Sequence, residues 1–527
     1  MPFPPVPRPA RAPFAAFAAL VSVSCRAAGP PAAGTAAGDA PPALGAVREA
    51  DLRRDVYALA SDAMRGREAG TPDELRAAAW VAERAREAGL EPAGDDGTYF
   101  QWWPMRRLRV SDASRAALGG EPLALGRDAV VASPPVAADV DLPLVWVGVA
   151  GPDSLRRLDL RGRAAAALVT RPASPPVSWI SLRPWRYARL ALAERAAALR
   201  AAGAAAAVLV ADDSTDGAFA TVAAQLRRGT YGVDTAGSDR VAPAAAAPWP
   251  ATVWVPAALG ARVRAAAAAG ARLRLEVRPE SFVVPSANVV ARVPGRDPAL
   301  RGEYVLFSGH HDHDGVRGPV SMGDDRRRGV VDSVWHGADD NATVSAALLA
   351  AGRAFARRPG RRSALFVWHG AEERGLLGSR WHAARPTVPR GAIAAVLNAD
   401  MIGRNAPDSA ALLGAQPPHR NSADLVGMAL AANARVSRFA LDTVWDRPSH
   451  PEGWYFRSDH LPYARAGVPA VMFSKLLHAD YHTPADRAER VDYAKLTRVT
   501  RWMYATGWAV AEADRRPAVD PGFRLER

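Results

Sequence analysis

All eleven histidines of this chain lie between His310 and His482, and the first 309 residues hold none. From Asn288 onward, apolar strands alternate with helices, the pattern of a layered α/β fold. Tyr304-Val-Leu-Phe-Ser308 reads as a strand, Ala342 to Ala356 as a helix, and Ser363-Ala-Leu-Phe-Val-Trp368 as a buried strand. Ala392 to Leu397 and Ala470-Val-Met-Phe473 read as further strands, and Tyr493 to about Ala513 as a closing helix. His310-His-Asp-His313 follows the first strand, Glu372-Glu373 the second, and Asp400 the third. In open α/β sheets the ligand crevice lies beyond the C-terminal strand ends. A chain delivering a histidine or carboxylate to three such ends is set up to build a metal site there.

Zinc takes imidazole nitrogen and carboxylate oxygen, and two ions roughly 3.5–4 Å apart need one shared ligand. Five protein ligands with one bridging carboxylate suffice and leave room for water. The adjacent pair Glu372-Glu373 suits a division of labour in which one ligates and the other takes a proton from water. Asp339 adjoins Asp340, and His311 and His313 adjoin His310; position alone leaves those neighbours as competitors. His369, His382 and His478 read as structural or surface residues, and His460 as a residue lining or buttressing the site.

Six segments then carry a resemblance. They are Gly309-His-His-Asp-His-Asp-Gly315, Asp332-Ser-Val-Trp-His-Gly-Ala-Asp-Asp-Asn-Ala342, Ala371-Glu-Glu-Arg-Gly-Leu-Leu-Gly-Ser379, Asn398-Ala-Asp-Met-Ile-Gly403, Ser458-Asp-His460 and Asp480-Tyr-His-Thr-Pro-Ala-Asp486. In this order they resemble the co-catalytic zinc aminopeptidase family, which shares its catalytic fold with glutamate carboxypeptidase, the transferrin receptor and the glutaminyl cyclases. The resemblance implies a three-layer α/β/α domain with a mixed, mostly parallel sheet, holding two zinc ions per chain. It implies His310 and Asp400 on one zinc, Glu373 and His482 on the other, and Asp340 as the bridge. It further implies Glu372 as general base, Asp312 behind His310 fixing its ring, and Tyr481 as a donor to the tetrahedral oxyanion. Two departures stand out: Thr343-Val344 replaces the usual small pair after the bridge, and Met322 to Val331 lengthens the loop before it.

Upstream, Leu59-Ala-Ser-Asp-Ala-Met-Arg-Gly-Arg-Glu-Ala-Gly-Thr-Pro72 and Ala88-Gly-Leu-Glu-Pro-Ala-Gly94 resemble the start of the same domain. Leu158-Asp-Leu-Arg-Gly-Arg163 and Ala201-Ala-Gly-Ala-Ala-Ala-Ala-Val208 resemble the protease-associated insertion that many relatives carry, a small β-rich α/β unit. The expected organisation is therefore a signal at 1–25, a tether at 26–45 and a first catalytic part at 46–135. An insertion at 136–275, the main catalytic part at 276–515 and a tail at 516–527 follow. A length of 527 residues calls for two or more packed units.

The formal charge of +13 does not mark a nucleic-acid binder. Only Lys475 and Lys495 are lysines; the arginines are spread along the chain among Asp and Glu, within a general bias to Ala, Arg, Pro and Gly. No basic stripe interleaved with aromatics is present. The single cysteine, Cys25, excludes an internal disulfide and a thiolate metal site. Before it, Arg8 and Arg11 lead into the apolar stretch Phe14 to Val21, the shape of an export signal. Ser22-Val-Ser-Cys25 resembles a bacterial lipoprotein cleavage site, with Ser22 where Leu is usual. This implies membrane attachment through a lipidated Cys25, or else a secreted or periplasmic form. The expected partner is a peptide substrate, cut from its N-terminus. A carboxypeptidase of the same fold acting on acidic peptides, and an inactive receptor-like protein, are the alternatives; oligomeric state is not legible.

Overall fold

The computed structural model describes residues 41–526 apart from 150, 156, 171–183, 214, 235–250, 321–324 and 451. The Cys25 signal and most of the tether lie outside the described residues. Two sheets organise the chain. The first runs Ala440–Leu441, Ser409–Leu413, Ala470–Ser474, Ile393–Asp400, Tyr304–His310, Ser363–His369, Pro279–Val293, Phe100–Val110, Thr230–Val233, with Glu91–Pro92 beside Pro279–Val293.

Its centre is parallel. Tyr304–His310 pairs in parallel with both Ser363–His369 and Ile393–Asp400, and Ile393–Asp400 with Ala470–Ser474. Antiparallel pairings flank this centre on both sides, and Ser409–Leu413 pairs in parallel with Ala440–Leu441 at one edge, so the sheet is mixed, as expected. Strand residues alternate between two buried faces. Val305, Phe307, Phe366, Trp368 and Leu397 pack with the helices Glu49–Leu59, Pro72–Glu87, Thr343–Arg357, Ala423–Ala432 and Tyr493–Glu512. Leu306, Leu365, Val367 and Val396 pack with Ala383, Tyr463 and Ala464 from two helices on the other side. Burial on both faces is why these strands read as unbroken apolar runs rather than alternating ones. Three layers result.

The second sheet runs Glu121–Leu123, Arg115–Leu118, Arg272–Val277, Ala138–Gly148, Ala164–Val169, Ala206–Ala211, Ala251–Val255, Val130–Val131. It takes in most strands of the 136–275 stretch, but it also recruits 115–131, upstream of the boundary expected at 135. Arg115–Leu118 does so by pairing antiparallel with Arg272–Val277, which buries Ala116 and Leu118 beside Leu273 and Leu275. One strand goes the other way. Thr230–Val233 leaves the second sheet and pairs antiparallel with Phe100–Val110 at the edge of the first. No helix among the described residues is long and apolar enough to cross a membrane.

Candidate metal centre

The parallel centre sets the site. His310 is the last residue of its strand and lies in register with His369, while Asp400 ends the neighbouring strand opposite Ser474. Gly309 beneath His310 admits no side chain, because a Cβ there would stand 2.3 Å from Val344 Cγ1. The β-branched Thr343-Val344 therefore packs under the strand instead of narrowing the site, and Thr343 Oγ1 donates to the Asp339 carbonyl at 2.8 Å. Gly337 (φ +57) lets the bridging segment pass against His313; a Cβ would sit 2.4 Å from that ring. Ala371, Met401 and His482 adopt positive φ of 53°, 56° and 50°, a conformation costly for residues other than glycine. Each is a proposed ligand or adjoins a proposed ligand or base.

The five proposed ligands and Glu372 come together at these strand ends. His310 Nε2 lies 3.2 Å from Asp340 Oδ1, 3.6 Å from Asp400 Oδ1 and 3.8 Å from Glu372 Oε2. His482 Nε2 lies 3.1 Å from the other oxygen of Asp340 and 3.2 Å from Glu373 Oε2. The two oxygens of Asp340 thus face two separate donor groups. One group is His310, Glu372 and Asp400; the other is Asp340, Glu373, His482 and His313. Asp339 turns away, accepting the Gly403 N–H at 2.6 Å.

Donors bound tetrahedrally at about 2.0–2.2 Å from one ion stand roughly 3.3–3.6 Å apart. The facing ligand atoms stand 3.1–3.6 Å apart, close to that spacing. Charge makes the same point. Asp340, Glu372, Glu373 and Asp400 put four carboxyl groups together with the three imidazoles of His310, His313 and His482, in a cluster that is buried or nearly so, and buried charge must be compensated. Two divalent cations would balance four carboxylates. Without them the cluster divides its protons. Burial pushes Glu372 well above the usual carboxylate range, reinforced by Asp400 and Glu373. Burial likewise raises Asp400. Burial works against ionisation of Asp340 and Glu373 too, but the neighbouring imidazoles prevail, holding Asp340 well below its ordinary value and Glu373 at about 2. Against burial, the surrounding carboxylates drive His310 and His482 well above the usual imidazole range.

Around the donors sits a set of holding groups. The Asp312 carboxylate accepts the backbone N–H of Glu372 at 3.0 Å and of Glu373 at 3.3 Å. It lies 3.6 Å from His310 Nδ1, beyond hydrogen-bonding range, and the Asp312 carbonyl is nearer at 3.2 Å. The hydrogen bond to the His310 ring is thus made by the main-chain carbonyl, while the Asp312 carboxylate holds the Glu372-Glu373 loop. Asp314 takes the orienting role for the other histidine, 3.1 Å from His482 Nδ1. Asp486 accepts the N–H groups of Asp339 and Asp340 at 3.0–3.1 Å. Arg457 donates to the Tyr481 hydroxyl at 2.9 Å, and the Tyr481 ring lies 4.0 Å from that of His482.

Arg67 is fully buried and donates to four carbonyls: Leu59, His311, His336 and Gly337, at 2.6–2.8 Å. It ties the loop after His310 to the segment before Asp340. Burial lowers its pKa only to about 10, so it stays charged. Arg67→Met is expected to leave those carbonyls unpaired and to cost about 3–5 kcal/mol of stability. Urea unfolding of the two proteins checks this; a loss under about 1 kcal/mol would contradict it.

The sequence reading did not assign Arg67, Asp314, Asp486 or Arg457. The one signal within reach was His313, whose Nδ1 lies 2.9 Å from Glu373 Oε1 and which falls in the H-x-x-H run with His310. His311 is buried outside both donor groups, held at about 4 by desolvation. His382 and His460 are likewise buried and held at about 3.

With this geometry in view, the comparisons with known proteins become informative. Residues 288–507 match the model of peptidase family M28. This stretch is similar to a peptidase family M28 domain. Among curated proteins, the chain is similar to a probable zinc metalloprotease of Leptosphaeria maculans, 25% identical over 271 residues, which cover 45% of this chain and 60% of that one. It is also similar to leupeptin-inactivating enzyme 1 of Streptomyces exfoliatus, 29% identical over 210 residues and 38% of each chain. The chain thus spans less than two thirds of either relative. Among solved structures, an aminopeptidase from Aneurinibacillus sp. strain AM-1 aligns with a TM-score of 0.55 at 18% identity, covering 91% of this chain and 97% of that one. A zinc aminopeptidase from Bacillus subtilis gives 0.55 at 16%, covering 91% and 99%. These likenesses show a shared fold over 91% of this chain.

Proposed function

We propose that this chain is a metal-dependent exopeptidase that releases N-terminal residues from peptides, with two zinc ions held by His310, Asp340, Glu373, Asp400 and His482. The observation that carries the reading is the pair of donor groups meeting at the two oxygens of Asp340. Zinc bound there supplies Lewis acidity, polarising the scissile carbonyl and acidifying water. Glu372, whose carboxyl is raised by burial with Asp400 and Glu373 reinforcing it, takes the proton from the attacking water and returns it to the departing amine. Tyr481, gripped by Arg457, donates to the oxyanion as it forms. The carboxylate-rich lining also suits a substrate's free α-ammonium, which favours cutting at the N-terminus. The 136–275 stretch is read as a protease-associated insertion, and the N-terminus as an export signal with Cys25 as the lipidation point.

The test is hydrolysis of leucyl and other aminoacyl anilides, with their N-acetylated forms alongside. Turnover of the free-amine substrates should be lost on chelation and restored by zinc, with the acetylated forms inert. Equal cleavage of acetylated substrates, or activity that survives full removal of metal, would overturn the reading.

A further inference from the structure

A cavity of about 370 Å³ opens directly beside the second donor group, with Glu373 and His482 in its wall. The rest of its lining is dominated by four arginines: Arg189, Arg228, Arg317 and Arg374. Arg374 follows the ligand Glu373 in sequence, and Arg317 follows the Asp314 that orients His482. Arg189 and Arg228 come from the inserted stretch, Arg189 on the helix Pro184–Ala201 and Arg228 at the end of Phe219–Arg228. The cavity is therefore built jointly by the M28-like stretch and the insertion.

Its charge is not balanced internally. Arg228, Arg317 and Arg374 all bond to Asp314, and Arg228 and Arg374 also approach Glu68 at 3.4 Å. Those two carboxylates serve three guanidiniums, while Glu373 belongs to the metal cluster. Arg189 makes no ion pair with any described residue and brings a fourth positive charge. The buried Nε atoms of Arg317 and Arg374 have no hydrogen-bond partner, and a buried donor without a partner is costly. The positive lining continues outward. A neighbouring cavity of about 300 Å³ shares Arg228 and Arg317 and adds Arg107, Arg109 and Arg227, with Asp112 opposing them. An excess of guanidiniums beside a reaction centre suits a planar anion that can accept forked hydrogen bonds.

We infer that this cavity binds a carboxylate of the substrate next to the scissile bond, so that the preferred substrates are short anionic peptides. The inference rests on the exopeptidase reading and narrows its substrate class. The carboxylate has three sources: the side chain of the first residue, that of the second, or the free C-terminus of a short peptide.

Affinity separates the inference from the activity it builds on. The zinc-loaded Glu372→Gln variant is titrated with three matched pairs: Leu-Gly-Gly and its amide, Leu-Asp-amide and Leu-Asn-amide, Glu-Gly-amide and Gln-Gly-amide. At least one acidic member should bind about tenfold tighter than its neutral partner, the worth of a charge-assisted hydrogen bond. Adding Arg189→Ala should bring that ratio close to one, and Arg189→Lys should restore part of it. All three ratios within twofold, or a ratio that survives Arg189→Ala, would overturn the assignment. Failure of wild-type protein to hydrolyse leucyl anilide would instead overturn the exopeptidase reading, whatever the binding ratios.

Discussion

Replacing Glu372 by Gln should lower kcat by about 10²–10⁴-fold while leaving the metal content unchanged. The amide keeps the shape of the side chain and its place beside His310, 3.8 Å away. It cannot take a proton from water or carry one to the leaving amine. The substitution also removes one ionisable group from a crowded acidic cluster, where burial already disfavours the charged form. The folded protein should therefore be no less stable than wild type. Steady-state kinetics with parallel metal analysis checks both halves. Activity within tenfold of wild type would remove Glu372 from the role of base, and loss of metal with loss of activity would make it a ligand instead.

Asp340→Ala should have an effect as large, by a different route. It deletes the side chain whose two oxygens face the two donor groups, so bound zinc should fall from about two ions to fewer than one per chain, with activity lost. Stability should follow the metal. A ligand held at 1,000 times its Kd stabilises by about 4 kcal/mol, and wild type should lose a shift of that order when chelated. The variant should show almost none. The metal-free forms should unfold alike, because removing one carboxylate from an uncompensated acidic cluster relieves repulsion as it deletes contacts with His310 and His482. Thermal unfolding of both proteins with and without chelator measures the difference. A variant that kept two ions and the full chelator-sensitive shift would show that Asp340 is not the bridge.

Part of this centre was legible in the sequence because strand ends are a local signal. Tyr304–His310, Ser363–His369 and Ile393–Asp400 are apolar runs that stop at His310, just before Glu372 and at Asp400, and a parallel centre sends all three ends to one edge. Asp340 and His482 carry no such mark. Asp340 sits in a turn before a helix and His482 in a late loop, so only the resemblance of their segments singled them out. The holding groups were harder still. Arg67 reaches Gly337 across 270 positions, and nothing in the run Arg65-Gly-Arg67 distinguishes the buried arginine from the exposed one. The grip of Asp312 is not legible for a related reason: H-x-D spacing cannot say which oxygen of the aspartate lies nearest the ring. The strand Thr230–Val233 is not legible either, since Thr-Tyr-Gly-Val is too short and too polar to show a period, yet it pairs with Phe100–Val110 at the edge of the first sheet, and its Thr230 and Tyr231 line the cavity with Arg228.

The central claim is that these residues form one two-ion centre bridged by Asp340. Elemental analysis of full-length protein loaded with zinc and freed of excess metal tests it most directly, followed by back-titration of the metal-free enzyme during turnover of leucyl anilide. Two zinc ions per chain, with activity tracking their return, is the predicted result. A stoichiometry of one that restores full activity, or no tightly held metal at all, would contradict it.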